Sequence, residues 1–283
     1  MGSARPPDSL DRVSTESSPE SPQVPAPPRG HLVLVVQNDP DAGTGRLGGW
    51  LTGAGLTLVT CRPYAAEPLP PTLDGYAAVL VLGGDQSACP GPDGAPGAPW
   101  FPALESLLRA AVRYRVPVLG VGLGAQLLAS ATGGVVGPAS AGPEFGAGLV
   151  ARRDAAGDDP LFAEVPFAPD VVQWHQDEVT ELPRGAVLLA VSSRCQHQAF
   201  RIGPAGWGVQ FHLECDLELA AGWAMGTVPE LLALGLDPVE LLAGVERVLP
   251  DLAEVWQPVA ERFAALALGR DAGGRRNLPL TNQ

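Results

Sequence analysis

The sequence predicts an α/β protein built on a doubly wound, mostly parallel sheet, with an antiparallel extension and C-terminal helices. Three observations lead there. Continuous aliphatic runs such as His31–Gln37 and Ala77–Leu82 lack polar alternation, as expected of strands buried on both faces. Segments with apolar residues at helical spacing separate these runs. Glycines follow the strands directly, at Gly83-Gly84 and at Gly122-Leu123-Gly124, where an open parallel sheet places its ligand crevice.

The first strand, His31–Gln37, runs into Asp39-Pro40-Asp41-Ala42-Gly43, which is turn and helix-start chemistry, and a short amphipathic segment follows around Leu47, Trp50 and Leu51. A second strand fits Leu56–Arg62 and a third fits Ala77–Leu82, closed by Gly83-Gly84. A Pro/Gly-rich loop from Asp85 to Pro99 leads into a helix whose Leu104, Leu107, Leu108, Ala111 and Val112 share one face. The next strand, Val116–Val121, passes straight into Gly122-Leu123-Gly124 and a helix starting near Ala125-Gln126. After Gly134 short apolar runs alternate with turns, at Leu149–Arg152, Val171–Trp174, Ala186–Val191, Gln198–Ile202 and Gly206–Phe211, which predicts the antiparallel or mixed extension. From Asp216 the pattern is helical again, with a turn at Pro229–Leu234 and two helices in Pro238–Leu249 and Leu252–Leu268. The expected organisation is a flexible tail over residues 1–30, one domain over 31–224, a helical extension over 225–269 and a flexible terminus over 270–283.

Composition narrows the function. With 46% hydrophobic and 17% charged residues among 283, the chain can bury a large core. All 18 basic residues are arginine, facing 31 acidic ones, for a net charge of −13. That balance argues against a nucleic-acid or anionic-membrane surface. The absence of lysine excludes Schiff-base chemistry and a Walker-type phosphate lysine. Cys61, Cys89, Cys195 and Cys215 form no CxxC pair and read as reduced thiols of a cytoplasmic protein. The Pro- and Ser-rich start has no apolar h-region, and no later run is apolar for long enough to span a bilayer.

The stretch Gly120-Val121-Gly122-Leu123-Gly124-Ala125-Gln126 occupies a predicted strand–turn–helix junction, the setting of a nucleophile elbow. Its middle residue is presented above the sheet beside a helix N-terminus, where backbone N–H groups stabilise an anion. Here the sequence resembles the class I (triad) glutamine amidotransferases, including the glutaminase domain of GMP synthase. Their elbow reads Gly-x-Cys-x-Gly-x-Gln and their catalytic pair His-x-Glu. This chain carries Gly-x-Gly-x-Gly-x-Gln at Gly120–Gln126 and Gln210-Phe211-His212-Leu213-Glu214 at the far end of the domain. Gly83-Gly84 stands where the family places its oxyanion-hole glycines, and Trp174-His175-Gln176-Asp177 resembles its substrate-contacting segment. The matches run from about His31 to about Trp223.

The resemblance implies a flavodoxin-like fold, His212 as general base and Glu214 as its orienting carboxylate. It further implies ligand contacts from Gly83, Gly84, Leu123, Gln126, His175, Gln176 and Asp177, and neither cofactor nor metal. It departs at Gly122, which offers no thiol, so the expectation is a pseudoenzyme that binds glutamine or another small amide, with a separate synthetase or pathway enzyme as partner. The alternative is an enzyme of changed chemistry that uses His212 and Glu214, or Cys89 as a relocated nucleophile.

Blander readings stand beside these. His212 could close a buried strand, His175 and Asp177 could cap a turn, and Gln126 could bond the neighbouring backbone. Cys195, His197, His212 and Cys215 lack zinc-finger spacing. Gly120-x-Gly122-x-x-Ala125 fits a dinucleotide fingerprint, but Gly133–Gly148 is Gly/Pro-rich and shows no strand ending in an acid.

Overall fold

The computed structural model describes residues 1, 2, 30–91 and 93–270, so nearly all of the expected tail and terminus lies outside the described residues. Five parallel strands form the centre: β1 (Leu32–Val36), β2 (Thr57–Cys61), β3 (Tyr76–Val81), β4 (Val118–Val121) and β12 (Gly206–Val209), in the order β2-β1-β3-β4-β12. Beyond β12 the sheet turns antiparallel through β11 (Ala199–Ile202), β10 (Val187–Val191) and β7 (Ala151–Arg152). The flavodoxin-like α/β architecture with its C-terminal helices is therefore present as the sequence predicts.

Both faces are covered because alternate residues of each central strand feed different cores. Val33 and Val35 of β1 pack with Leu47 and Leu51 of α1 (Gly45–Gly53) and with Trp256 and Phe263 of α6 (Pro238–Ala267). Leu34 and Val36 pack on the other side with Leu104 and Leu108 of α2 (Phe101–Tyr114) and with Leu127 and Leu128 of α3 (Leu123–Ala131). Each of these side chains is almost wholly withdrawn from water, which is the main stabilising term at about 25 cal/mol per Å² of apolar surface.

Two local features differ from the sequence pattern. Val135–Pro138 (β5) and Glu144–Leu149 (β6) are strands within the Gly/Pro-rich stretch, and neither ends in an acid. They pair antiparallel with β9 (Asp177–Glu181) and β8 (Asp170–His175) in separate two-stranded sheets. Because β5 returns to a side ribbon and not to the parallel sheet, α3 does not close a βαβ dinucleotide unit. The second is a correction: α6 is one helix where Pro250 suggests a break. Its buried positions Val245, Leu249, Leu252, Trp256, Val259 and Phe263 keep helical spacing across the proline, and their burial outweighs the roughly 3 kcal/mol that an interior proline costs. The remaining helices are α4 (Leu217–Gly226), capped by Asp216, and α5 (Val228–Ala233). Among the described residues no helix is long and apolar enough to cross a membrane.

Candidate functional site

Strands β1, β3, β4 and β12 all end at the same sheet edge, and the segments leaving them meet around one cavity of about 480 Å³. Its lining includes Gly83, Gly84, Gly122, Leu123, Gln126, His175, Gln176, Asp177 and His212. Of the ten residues expected at the crevice, nine line it and Glu214 does not. Glu214 is buried behind His212 at 2% exposure and reaches the site through that ring.

The elbow follows from local sequence. Gly122 has φ 54° and ψ −116°, between β4 and the first turn of α3. Its N–H donates to Val209 O at 2.9 Å, and its carbonyl accepts from Ala125 N at 3.0 Å and Gln126 N at 3.1 Å, so the turn is tied to β12 and to the helix. Gly124 is required by a close approach: a Cβ there would lie 2.1 Å from the Val81 carbonyl oxygen, so α3 could not sit against β3 with any other residue.

Opposite the elbow stands His212, only 5% exposed. Its Nδ1 lies 2.7 Å from Glu214 Oε1, and its Nε2 lies 3.4 Å from the Trp174 carbonyl. A Cβ at Gly122 would point at this ring, 3.1 Å from Cε1 and 3.4 Å from Nε2, and a Cβ at Gly83 would meet Cε1 at 3.2 Å. Trp223 of α4 packs against the imidazole with centroids 4.5 Å apart and the rings tilted by 50°, and Trp174 and Phe145 continue the aromatic wall. The Trp223 indole N–H donates to Asp41 O at 3.0 Å, which fixes α4 to the loop after β1.

The other expected contacts are partly committed to neighbours. Gln126 Nε2 donates to Asp177 O at 2.9 Å and to Gln210 Oε1 at 3.2 Å. Ser87 Oγ donates to Asp177 Oδ2 at 2.5 Å, which ties the loop after Gly84 to β9. His175 Nδ1 is 3.1 Å from Asp177 O, and its Nε2 lies 3.2 Å from Glu144 Oε2, an ion-pair distance without hydrogen-bond alignment. Cys89 packs in the same loop with its N–H donated to Ser87 Oγ. Burial raises its thiol above the ordinary value; the Ser87 hydrogen bond opposes that shift and Asp177 adds to it. Burial likewise pushes the Cys195 and Cys215 thiols far up. Among the described residues no cluster of three or more His, Cys, Asp or Glu could hold a metal ion.

Sequence reasoning missed the acidic side of the cavity. Asp39, Asp41, Asp85, Asp177 and Glu230 line it, and among the described residues no arginine does. Burial raises the Asp85 carboxyl above the aspartate range, with repulsion from Asp39, Asp41 and Glu230 adding to the shift. Thr227 and Glu230 also show that the start of the C-terminal helical segment reaches the crevice. Only the Asp39–Gly43 turn signal hinted at this rim; α4 and α5 arrive there through tertiary packing.

Comparison with known proteins agrees with this geometry. Residues 63–221 match the family Glutamine amidotransferase class-I. The glutamine amidotransferase-like protein YfeJ of Salmonella typhimurium is 32% identical over 184 residues, 64% of this chain and 75% of that protein. Gamma-glutamyl peptidase 3 of Arabidopsis thaliana is 30% identical over 202 residues, covering 68% of this chain and 75% of the peptidase. The crystal structure of a glutamine amidotransferase from Thermotoga maritima superposes with a TM-score of 0.74 at 26% identity, over 83% of this chain and 99% of that one. A family match across more than half of the residues, on a shared fold, settles the assignment: the chain belongs to the class I glutamine amidotransferases.

Proposed function

We propose that this chain is an amidotransferase-like protein without thiol-dependent glutaminase activity, and that its crevice binds glutamine or another small amide so that the protein acts as a binding or regulatory subunit. The observation that carries this reading is the pairing of Gly122 with His212. The elbow, the helix start and the His212–Glu214 pair at 2.7 Å are all present, yet the residue facing His212 carries only hydrogen. Thiol chemistry needs a sulfur that His212 would activate and that would attack the amide carbon. In related triads loss of the nucleophile costs on the order of a millionfold in turnover, about 8 kcal/mol of barrier.

Cavity charge supports an amino-acid-like ligand. Five carboxylates and no arginine favour a ligand that turns an ammonium group toward Asp39, Asp41, Asp85 and Glu230. The amide end would then face Gly83 and the start of α3, where the N–H groups of Leu123 and Gly124 precede the first helical bonds, made by Ala125 N and Gln126 N to Gly122 O. The partner proposed for such a subunit is a separate synthetase or pathway enzyme.

A second reading has one observation in its favour, the intact His212–Glu214 contact. With the thiol gone, that pair could activate water against an amide or ester directly. Cys89 is the weaker substitute, since its thiol is raised while a nucleophile needs it lowered.

Titration calorimetry of the full chain with glutamine, glutamate and simple primary amides tests the ligand. Saturable heat with glutamine or another amide is expected. A folded protein that gives heat with none of them would remove the binding role and leave only a scaffold.

A further inference from the structure

The end of α4, all of α5 and the start of α6 leave a run of large apolar side chains in water. Met225 is 77% exposed, Leu232 61%, Leu234 51%, Leu236 36% and Val239 74%. They are continuous along the chain, and the turn that carries them is well built. Leu236 N donates to Leu231 O at 2.9 Å, Asp237 Oδ1 caps α6 by accepting from Val239 N at 2.8 Å, and Leu231 anchors α5 in the interior. Exposed apolar runs of this kind mark surfaces that something covers.

The charges around the ridge indicate what. Along the ridge segment, from Met225 to Val245, the chain carries Glu230, Asp237 and Glu240 and no arginine. A second copy of this chain docking face to face would set these carboxylates against each other, on molecules that each already carry −13. Like-charge juxtaposition of that kind suppresses association, whereas an opposite charge pattern favours it. The ridge also borders the crevice directly, because Gly226, Thr227 and Glu230 line the cavity between Met225 and Leu232.

We propose that this ridge is a docking surface for a partner protein that presents apolar side chains within a lysine- and arginine-rich face, seated at the rim of the crevice. Apolar contact with Leu232, Leu234 and Val239 provides the area, and the acidic frame selects the partner and sets its approach. This inference rests on exposure and charge, and holds whether or not Gly122 abolishes hydrolysis.

The probe is a synthetic amphipathic helix with leucine on one face and lysine on the other, labelled and titrated into the full chain by fluorescence anisotropy. A peptide with the same leucines and glutamate in place of lysine is the control. The lysine peptide should bind at least about tenfold more tightly than the glutamate peptide, and Leu232→Ser with Val239→Ser should weaken it by at least about tenfold. Both positions are exposed, so the thermal unfolding of the variant should match wild type; Met225→Ser with Leu236→Ser gives a second, separate pair. Unchanged affinity in both pairs overturns the proposal, as does equal binding of the two peptides. A wild-type dimer in sedimentation that either pair abolishes would also overturn it, by giving the surface to a second copy.

Discussion

The imidazole of His212 lies so close to the Cα of Gly122 that a Cβ built there would sit 3.1 Å from its Cε1 and 3.4 Å from its Nε2. The elbow therefore aims its side-chain direction at the His212 imidazole, which is the relationship on which the proposed loss of thiol chemistry rests. Several measurable consequences depend on this relationship.

Gly122→Cys should confer glutamine hydrolysis, lost again on adding His212→Ala, because orientation, anion stabilisation and base are already in position. It should also cost stability. Gly122 has φ 54°, where a residue with a Cβ is strained by about 1–3 kcal/mol. His212 would have to yield a few tenths of an ångström besides. Urea unfolding of the variant measures the cost; an unchanged midpoint would mean that the turn relaxes freely.

Glu214→Ala should destabilise the fold by about 1–3 kcal/mol, since it leaves His212 Nδ1 buried without its partner. Glu214→Gln keeps an acceptor at the same place and should recover most of the loss. Chemical denaturation of both variants distinguishes them, and equal losses would show that the hydrogen bond is not what matters.

Asp85 gives a pH signature. Its carboxyl is raised by burial first and by Asp39, Asp41 and Glu230 after that, so the folded chain holds this proton to higher pH than the unfolded chain does. The associated stability is fully present below the ordinary value of 3.8 and is lost as pH rises through the raised folded value. Asp85→Asn should therefore stabilise the protein at neutral pH, by no more than about 1 kcal/mol at this half-exposed site, and make no difference in acid. The same variant should weaken binding of any ligand whose ammonium faces this rim. Stabilisation that persists in acid would point to a cause other than ionisation.

Cys89 should behave as a bystander. With its thiol raised, alkylation by iodoacetamide at neutral pH should be slow, and Cys89→Ala should leave any residual activity unchanged. The cysteine of Gly122→Cys, at a helix start and beside His212, should react faster than Cys89 in the same chain. Mass spectrometry of a timed reaction gives both rates at once.

Much of this was legible in the sequence for physical reasons. Strands β1, β3 and β4 are continuous aliphatic runs because both faces are buried, Gly122 takes a positive φ at the turn, and Gly124 leaves no room for a Cβ against Val81 O. The strands that were missed, β5, β6 and β9, are ribbon strands whose residues are polar, glycine-rich or partly exposed, as at Val135, Gly148 and Glu181, so they lack the apolar signal. Pro250 reads as a helix end because propensity is local, whereas the burial that carries α6 past it is not. The rim residues Asp41, Trp223 and Glu230 reach the cavity only through the packing of α4 and α5 against the loop after β1, for which no sequence spacing exists.

The central claim is tested most directly by assaying ammonia release from glutamine by the unmodified full chain, alongside His212→Ala. The account predicts no release above the His212→Ala background at any glutamine concentration, while Gly122→Cys in the same assay rises above it. Glutamine hydrolysis by the unmodified chain at a rate ordinary for class I amidotransferases, abolished by His212→Ala, would contradict it.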